Sequence, residues 1–520
     1  MCWKDEGVTM NVLFTGLFPK WQCHFIAECN FIEEHLSAGD KITVLNCDAS
    51  LEACDANPGR ALPHCLVCMG MRQSAVGLLS SPVQALPLVH PDVESRLKSF
   101  AYPEFASLKQ LREFSWEGVQ VGEDVISSLV NATGSPFFDP SQHRELVRLA
   151  IQDFAATYLT ALHHLKESGF DLVYVFNGRF VPARAWIRAC EQTRTDYITQ
   201  ERIGMPDRVL RIRNGSVHET LRYGPLINEF WEKGRNDPDV LREARDFFEE
   251  RPQGRLTGWH SYIKSQDSSS LPENWDSNKR NIVIYSSTES EFAGVSEYFE
   301  GAVFKDQKEA YAKLAAAVGK VTPDIHFYLR VHPNSCQEKI RWWEDPDLQS
   351  IRNLTVISPE SPVSSYELLA RCEKAIVFMT TMGVEATYWG KPCIVLANAM
   401  YCGTGAAYEP STPEELLDLV MASGLTAKPR EKALALGAFM RRGLPKLPFS
   451  EALDHCKLLF KGSRPDADPE ILKSLWNWDH VVSKAGLPSW GKRLWQNWEW
   501  HRLHFRLKGR FAGPKGKTGG

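Results

Sequence analysis

Apolar residues in this sequence fall into short unbroken runs, separated by longer stretches with helical spacing. Residues 11–15 and 41–46 are rich in β-forming side chains and predict two strands, with a helix over about 23–36 between them. This order predicts a βαβ unit, and therefore a parallel sheet with a right-handed crossover. Residues 171–176 and 196–200 repeat the arrangement around a helix that starts near residue 182.

The second half of the chain alternates more regularly between apolar runs and helical stretches. Five runs predict strands at residues 282–285, 325–331, 354–357, 375–378 and 393–396. Because these strands read as continuously apolar and alternate with helices, they predict a doubly wound parallel sheet. The chain is therefore expected to be an α/β protein with two Rossmann-like domains.

Composition changes between and after the two predicted sheets. The charged and then polar stretch 236–280 is typical of a solvated linker, and the chain reads as helical and rich in tryptophan after about residue 445. We expect an N-terminal domain (1–235), a linker (236–280), a C-terminal domain (281–445) and a helical extension (446–520). A substrate crevice is expected between the domains, at the C-terminal ends of both sheets.

The overall composition narrows the classes of function. The 520 residues are 43% hydrophobic and 24% charged, which is ordinary for a soluble globular protein. Lys plus Arg is 60 and Asp plus Glu is 64, a net charge of −4, so we expect no nucleic-acid partner. We see no apolar run of transmembrane length and no secretory signal, and we expect a cytoplasmic protein.

Polar residues follow several of the predicted strands in the second domain. His332 and Pro333 end one strand, where the imidazole can donate to a phosphate oxygen or simply occupy a surface turn. Ser364 and Ser365 open a helix, either as an anion site or as a cap alone. Together with hydroxyl groups after other strands, they suit a nucleotide that carries phosphate.

Two further loops of this domain contribute to that expectation. Ser286 and Ser287 follow its first strand. A later strand ends at Thr380 and Thr381, and the next helix begins near Gly383, where free N–H groups suit a phosphate. Glu385 is predicted either to accept hydrogen bonds from ribose hydroxyls or to complement the helix dipole.

The first domain offers three polar residues at strand ends. Asn177 and Arg179 follow one strand, and Arg179 can pair with a carboxylate or a phosphate in bidentate fashion. Glu201 ends the next strand near the same edge, where it can act as general base for an acceptor hydroxyl. The alternative is a purely structural pair between Arg179 and Glu201.

Cysteines are concentrated at the N-terminal end, and an odd total of 13 without a signal peptide favours reduced thiols. Four of them can bind zinc or an iron–sulfur cluster, with Cys23, Cys29 and His64 as alternative ligands. The other reading is a coincidence of buried thiols. The four residues are Cys47, Cys54, Cys65 and Cys68.

The C-terminal end differs again from the rest of the chain. Residues 491–520 carry eight Lys or Arg and one Glu, and Leu494, Trp498, His501 and Phe505 recur at helical spacing. A basic amphipathic helix of this kind can lie in an anionic membrane interface. The alternative is a helix packed on the first domain with a disordered tail.

Motifs of the second half resemble the capsule polysaccharide biosynthesis glycosyltransferases. The resemblance rests on the segment from Arg330 to Pro333, on Ser364 and Ser365, and on residues 377–392. This bacterial group includes transferases of 3-deoxy-manno-octulosonic acid (Kdo) and has the GT-B fold. The His-Pro and Ser-Ser pairs also resemble motifs that hold CMP in GT-B sialyltransferases. In the first half of the chain, residues 176–179 and Glu201 resemble the first-domain motif of the capsule glycosyltransferases.

The resemblance implies a glycosyltransferase with a nucleotide-sugar donor on the second domain, a CMP-sugar such as CMP-Kdo being favoured and a UDP-sugar the alternative. Its acceptor would be a surface polysaccharide or lipid-linked glycan held by the first domain, with Glu201 and His332 as catalytic residues. The acidic motif of sialyltransferases is not matched, because Val125 follows Glu123 and Asp124. The alternatives are a nucleotide-sugar epimerase of the same fold and a non-catalytic, metal-bearing scaffold of an assembly complex.

Overall fold

Two predominantly parallel sheets organise the chain in the computed structural model, each covered by helices. The first contains residues 11–213 and the second residues 280–395. The structure describes residues 9–16, 18–47, 49–97, 100–255, 262–295, 298, 301–304 and 306–465.

The first sheet has six strands in the order β3-β2-β1-β4-β5-β6. All neighbours are parallel except β5 and β6, which are antiparallel. The central strands are buried on both faces, as their continuous apolar sequence predicts. The strands are β1 (Asn11–Phe14), β2 (Lys41–Asn46), β3 (Gln84–Pro87), β4 (Leu172–Phe176), β5 (Asp196–Arg202) and β6 (Val209–Arg213).

The second sheet has five strands in the order β11-β10-β7-β8-β9, and all neighbours are parallel. Each predicted strand of this half has its counterpart in the structure. The strands are β7 (Arg280–Tyr285), β8 (Ile325–Arg330), β9 (Leu354–Ile357), β10 (Lys374–Val377) and β11 (Cys393–Val395). The predicted fold class, two α/β domains with doubly wound sheets, is therefore confirmed.

Helices connect the strands and cover both sheets. The longest, α7, ends at Gly169, whose φ of +56° is the left-handed conformation that commonly terminates helices. The helices are α1 (Gln22–Ser37), α2 (Leu62–Val76), α3 (Pro91–Leu97), α4 (Leu108–Arg112), α5 (Val121–Asp124), α6 (Ile126–Thr133), α7 (Arg144–Ser168), α8 (Val181–Thr193), α9 (Tyr223–Gly234), α10 (Pro238–Glu249), α11 (Gln307–Val321), α12 (Pro346–Gln349), α13 (Ser365–Arg371), α14 (Met382–Tyr388), α15 (Pro413–Met421) and α16 (Arg430–Ala438).

The interval 236–280 is not a solvated linker throughout, because it contains α10. Its apolar residues are buried on one face and pack against α16, where the backbone of Gly437 approaches Ala244 closely. The charged residues of α10 lie on the opposite face. Because they outnumber the apolar residues, the stretch reads as polar although its apolar residues recur at helical spacing. The buried residues are Val240, Ala244, Phe247 and Phe248.

The predicted helical extension is wrong for its first part. Residues 446–465 contain the antiparallel strands β12 (Ser450–Ala452) and β13 (Leu458–Phe460), which pack on α1 of the first domain. Asn30 donates to the Ser450 hydroxyl at 2.6 Å, so polar contacts also fix the hairpin. The predicted basic helix at 491–520 lies outside the described residues. Among the residues described, no helix is both long and apolar enough to cross a membrane.

Loops that follow β7 and β8 bring the two domains into contact. The Gly294 backbone lies so close to Ser127 that an added Cβ would stand 2.2 Å from its hydroxyl oxygen. Arg112 donates to the Ala293 carbonyl at 2.6 Å, and Lys339 donates its backbone N–H to the Gly134 carbonyl at 3.1 Å. These contacts set the first domain against the carboxyl end of the second sheet.

Candidate functional site

A pocket of about 500 Å³ lies in the second domain, at the carboxyl ends of its strands. Loops after β7, β8 and β10 form most of its wall, and the segment before β7 closes it. Eight residues that the sequence predicts for donor binding line this pocket: Ser286, Ser287, Arg330, His332, Pro333, Ser365, Thr380 and Thr381. The other three, Ser364, Gly383 and Glu385, are buried next to the lining residues.

His332 presents one specific face to the pocket. Its Nδ1 accepts the backbone N–H of Asn334 at 3.2 Å and lies 3.2 Å from the Thr288 hydroxyl. Because Nδ1 is an acceptor, we assign the ring proton to Nε2. Burial and then the charge of Arg330 lower the pKa of His332 to about 4, so the ring is neutral near pH 7. A neutral Nε2–H can donate to a phosphate oxygen.

Arg330 forms part of the pocket floor. Its two terminal nitrogens donate to the carbonyls of Ser358 and Ser361, at 2.5 Å and 3.1 Å. Its buried Nε makes no hydrogen bond within the part of the chain that is described. Burial lowers the pKa of Arg330 to about 10, so it remains a cation at neutral pH. Arg330 thus adds a fixed positive charge below the pocket.

Arg251 is a second cation of the pocket, and it is not among the residues that the sequence predicts for donor binding. Its guanidinium donates to Glu385 at 3.0 Å and to the Thr381 hydroxyl at 3.0 Å. Glu385 is fully buried and also accepts from Tyr366 at 2.5 Å. Glu385 therefore anchors Arg251, Tyr366 and Thr381 around the pocket, and its predicted contact with ribose stays a prediction.

Other lining residues also escaped the sequence analysis. They come from the segment before β7 and from short turns, where no strand-end pattern marks them. The sequence contains one indirect indication of Arg251. Glu385 is predicted at the start of a helix beside a buried strand, and a buried carboxylate needs a cationic partner elsewhere in the fold. The unidentified lining residues include Arg255, Tyr262, Gln266, Glu291, Asn334 and Tyr366.

Several predicted residues have structural roles at the pocket wall. Ser286 accepts the backbone N–H of His332 at 2.9 Å and thereby joins the ends of β7 and β8. The Ser364 hydroxyl caps α13 by accepting the N–H of Glu367 at 3.1 Å, which was the alternative reading for this serine. A Cβ on Gly383 would lie 2.2 Å from the Tyr401 hydroxyl oxygen, so this glycine is needed for packing.

The first-domain residues lie together at the facing edge. Asn177 donates to Glu201 at 2.5 Å, and its own oxygen lies 3.1 Å from His218 Nε2. Glu201 is also 3.0 Å from His24 Nδ1, an ion pair without hydrogen-bond geometry. No pattern in the sequence marks either histidine as a partner of Glu201.

The ion pair between His24 and Glu201 shifts the pKa values of both residues. Burial raises the pKa of Glu201, but the charge of His24 and the hydrogen bond from Asn177 outweigh it and lower the pKa to about 2. Burial lowers the pKa of His24, but the Glu201 carboxylate outweighs it and the pKa rises to about 9. A carboxylate with so low a pKa is a weak proton acceptor, which weakens the predicted role of Glu201 as general base.

Arg179 bridges the two domains. Its guanidinium donates to the backbone carbonyl of Glu291, a residue that lines the pocket, and lies 4.7 Å above the Phe180 ring centre. The structural alternative, a direct Arg179–Glu201 pair, is not among the ion pairs of the described residues. The geometry thus brings the first-domain motif to the border of the second-domain pocket.

The His24–Glu201 pair leads to a prediction on pH and stability. Because the folded pKa of His24 is raised from 6.5 to about 9, its stabilisation is complete below pH 6.5 and is lost as pH rises through 9. His24→Gln should lower the free energy of unfolding by on the order of 2 kcal/mol near pH 6 and much less near pH 9.5. Urea unfolding of both proteins across this range measures the difference.

His143→Gln serves as the control for that series, because no described ion pair involves this histidine. A difference between wild type and His24→Gln that stays constant from pH 6 to 9.5 would contradict the ion-pair assignment. Because the folded pKa of Glu201 is lowered from 4.5 to about 2, the pair should also lose its stabilising free energy as pH falls from 4.5 through about 2.

The four cysteines of the predicted metal site line one small cavity in the first domain. No three His, Cys, Asp or Glu side chains of the described ranges are placed so that they could hold a single metal ion. His64 lines the same cavity, whereas Cys23 and Cys29 are buried on α1 and do not line it. The metal site therefore stays a prediction at this point.

Comparisons with known proteins give similarity in fold only. No family model matches the sequence, and no curated protein matches it. The beta Kdo 2,4 transferase KpsC of Thermosulfurimonas dismutans is similar with a TM-score of 0.38 and 14% identity, over 52% of this chain and 80% of that chain. A beta Kdo 2,7 transferase KpsC of the same organism gives 0.33 and 15%, over 62% and 89%.

A UDP-GlcNAc 2-epimerase from Neisseria meningitidis bound to UDP-GlcNAc is also similar. Its TM-score is 0.29 at 11% identity, over 82% of this chain and 97% of that chain. Kdo transferases and a nucleotide-sugar epimerase are thus both among the similar structures. All three similarities are distant, with TM-scores of 0.29 to 0.38 and identities of 11% to 15%.

Proposed function

We propose that this protein is a glycosyltransferase that moves a sugar from a nucleotide-sugar donor to a glycan acceptor. The observation that carries the proposal is the pocket at the carboxyl ends of the second sheet, where cations and hydroxyl groups converge. A CMP-sugar such as CMP-Kdo is the favoured donor, and a UDP-sugar is the alternative. The acceptor would be a bacterial surface polysaccharide or its lipid-linked precursor.

Charge complementarity supports a phosphorylated ligand. Arg251, Arg255 and Arg330 line the pocket together with His332. Guanidinium groups are suited to phosphate recognition, because their planar N–H donors match the geometry of its oxygens. The hydroxyl groups of Ser286, Thr288 and Thr380 lie along the same wall and add further donors or acceptors. A nucleotide carries the phosphate and ribose groups that such a lining recognises.

The same lining can assist departure of the nucleotide. Negative charge develops on the phosphate as the glycosidic bond breaks, and donors fixed in advance stabilise that charge without reorganisation. His332 Nε2–H is held in place by the contacts of Nδ1 to Asn334 and Thr288. We therefore assign His332 the role of stabilising the leaving phosphate, with Arg251 adding positive charge.

The acceptor would approach from the first domain. Asn177, Arg179 and Glu201 lie at its facing edge, and Arg179 contacts Glu291 at the pocket border. As a carboxylate paired with His24, Glu201 is suited to accept hydrogen bonds from sugar hydroxyls and so to orient an acceptor. We place the protein in the cytoplasm, where nucleotide-sugars are made, and we assign membrane contact to the basic stretch 491–520, which lies outside the described residues.

A nucleotide screen followed by product analysis tests the proposal. Isothermal titration calorimetry with CMP, UDP and GDP should show one selective nucleotide, with a dissociation constant in the micromolar to millimolar range typical of such substrates. The matching nucleotide-sugar, incubated with and without a glycan acceptor, should lose its sugar to the acceptor. The control is His326→Ala, which removes an imidazole from β8 outside the pocket lining and should bind nucleotide and transfer sugar as the wild type does.

The outcomes separate the competing functions. Conversion of a free UDP-sugar without any acceptor would replace the transferase by an epimerase. If none of the nucleotides binds, the result would favour a non-catalytic scaffold and would contradict the proposal. A selective CMP response would support a donor of the Kdo or sialic acid kind.

A further inference from the structure

The loop after β7 places one carboxylate at the edge of the pocket, where the first domain approaches it. Glu291 ends the short turn Glu289–Glu291, and among the described residues it is the only acidic side chain that lines the pocket. This side chain is exposed, so a ligand in the pocket can reach it. The Asn334 side chain, two residues after His332, donates to Glu291 Oε1 at 3.0 Å. Glu291 is thus joined to the loop that carries the proposed phosphate ligand His332.

Contacts from the first domain hold the loop of Glu291 in place. Arg179 donates to the backbone carbonyl of Glu291, and Arg112 donates to the carbonyl of Ala293 at 2.6 Å. The Gly294 backbone packs so closely on α6 that it leaves no room for a side chain. Because both domains fix this loop, the carboxylate is positioned before an acceptor binds, which is what a group that acts directly on a substrate needs.

The electrostatic surroundings of Glu291 favour proton transfer. Enclosure by the surrounding protein raises the pKa of Glu291, and the charge of Arg179 and the hydrogen bond from Asn334 oppose this rise only in part. A general base is most effective when its pKa approaches the working pH. Glu201, whose pKa is lowered to about 2, is by contrast a weak proton acceptor. Of the two carboxylates near the border between the domains, Glu291 is therefore the better base.

We propose that Glu291 is the general base of sugar transfer, an inference that rests on the glycosyltransferase function proposed above. The acceptor hydroxyl gives its proton to the Glu291 carboxylate while its oxygen bonds to the anomeric carbon of the donor sugar. The bond from that carbon to the nucleotide phosphate breaks, and its electron pair leaves with the phosphate, whose charge His332 stabilises. Glu201 orients the acceptor and does not take its proton.

Glu291→Gln tests the proposal, because the amide keeps the size of the side chain and removes its basicity. We expect kcat for sugar transfer to fall about 10²–10⁴-fold, the usual contribution of a general base. Nucleotide affinity, measured by calorimetry, should stay within about twofold of the wild type, which also shows that the variant is folded. Glu291→Asp keeps a carboxylate and should be less impaired. Glu309→Gln, an exposed carboxylate of α11 outside the pocket, should transfer sugar at the wild-type rate.

The pH dependence of kcat identifies the carboxylate that takes the proton. In the wild type, kcat should fall as pH drops through the raised pKa of Glu291, because the protonated carboxyl accepts no proton. The other titratable or charged groups around Glu291 are Arg179, Tyr262 and Glu338. Burial raises the pKa of Tyr262 to about 12, so Glu338 is the group to separate from Glu291. Glu338→Gln and Glu201→Gln should keep the fall in kcat at low pH, and Glu291→Gln should lose it.

The outcomes separate this inference from the function on which it rests. A wild-type chain that transfers no sugar would overturn both. If the wild type transfers sugar and Glu291→Gln keeps its kcat, only the role of Glu291 is overturned and the glycosyltransferase proposal stands. If Glu201→Gln or Glu338→Gln loses the fall in kcat at low pH while Glu291→Gln keeps it, another carboxylate takes the proton and the inference is wrong.

Discussion

His332→Ala should lower the rate of sugar transfer about 10²–10³-fold, which is the usual loss when a donor that stabilises developing charge is removed. His332 is held by Asn334 and Thr288 with its Nε2–H directed away from those contacts. Nucleotide affinity should fall less than the rate, because the arginines of the pocket remain. Steady-state kinetics with the donor found by calorimetry measures both quantities.

His326→Ala is the matched control for this prediction. His326 lies on β8, the strand that precedes His332, but its Nε2 contacts the Thr355 hydroxyl at 2.7 Å and it does not line the pocket. Its loss should leave the transfer rate within about twofold, since it touches no reacting group. Equal rates for His332→Ala and the wild type would remove His332 from the mechanism.

Arg251→Ala should have the largest effect on stability, because it leaves the fully buried Glu385 without its cation. Removing one partner of a buried ion pair typically costs about 3–5 kcal/mol, since the remaining charge is buried uncompensated. Nucleotide binding should be lost as well, because the guanidinium lines the pocket. Urea unfolding and calorimetry measure the two effects.

Two further variants separate stability from binding. Arg251→Met combined with Glu385→Gln removes both charges while a side-chain oxygen is kept for Tyr366, so it should recover much of the lost stability without restoring nucleotide affinity. Arg341→Ala breaks exposed ion pairs to Glu344 and Glu360 and should cost at most about 1 kcal/mol. Full stability of Arg251→Ala would show that Glu385 does not depend on this cation.

Much of the architecture could be predicted from local sequence. Buried parallel strands are continuously apolar, so β1, β2, β4, β5 and the five strands of the second sheet were recognisable without any tertiary knowledge. β3 was missed because it is short and not buried. The hairpin of β12 and β13 was missed because each strand has only three residues, too few for a period to show.

The candidate site likewise contains residues that could be predicted from the sequence and residues that could not. The loops that follow parallel strands lie at the same edge of a sheet. The strand-end residues of the second domain, such as Ser286, His332 and Thr381, could therefore be placed at one edge from strand order alone. Arg251 could not be placed there, because its partner Glu385 is 134 residues away along the chain. The same limit hid the pairing of His24 with Glu201.

The sequence by itself determined which segments become strands, which loops gather at the edge of each sheet, and which four cysteines stand close together. Those features depend on the side-chain period and on the order of elements along the chain, both of which are local. Only the tertiary structure decided that Glu385 serves Arg251, that Glu201 is held by His24, and that α10 belongs to a buried core. These depend on burial and on charge pairs between distant segments, whose energies arise only once the fold excludes water.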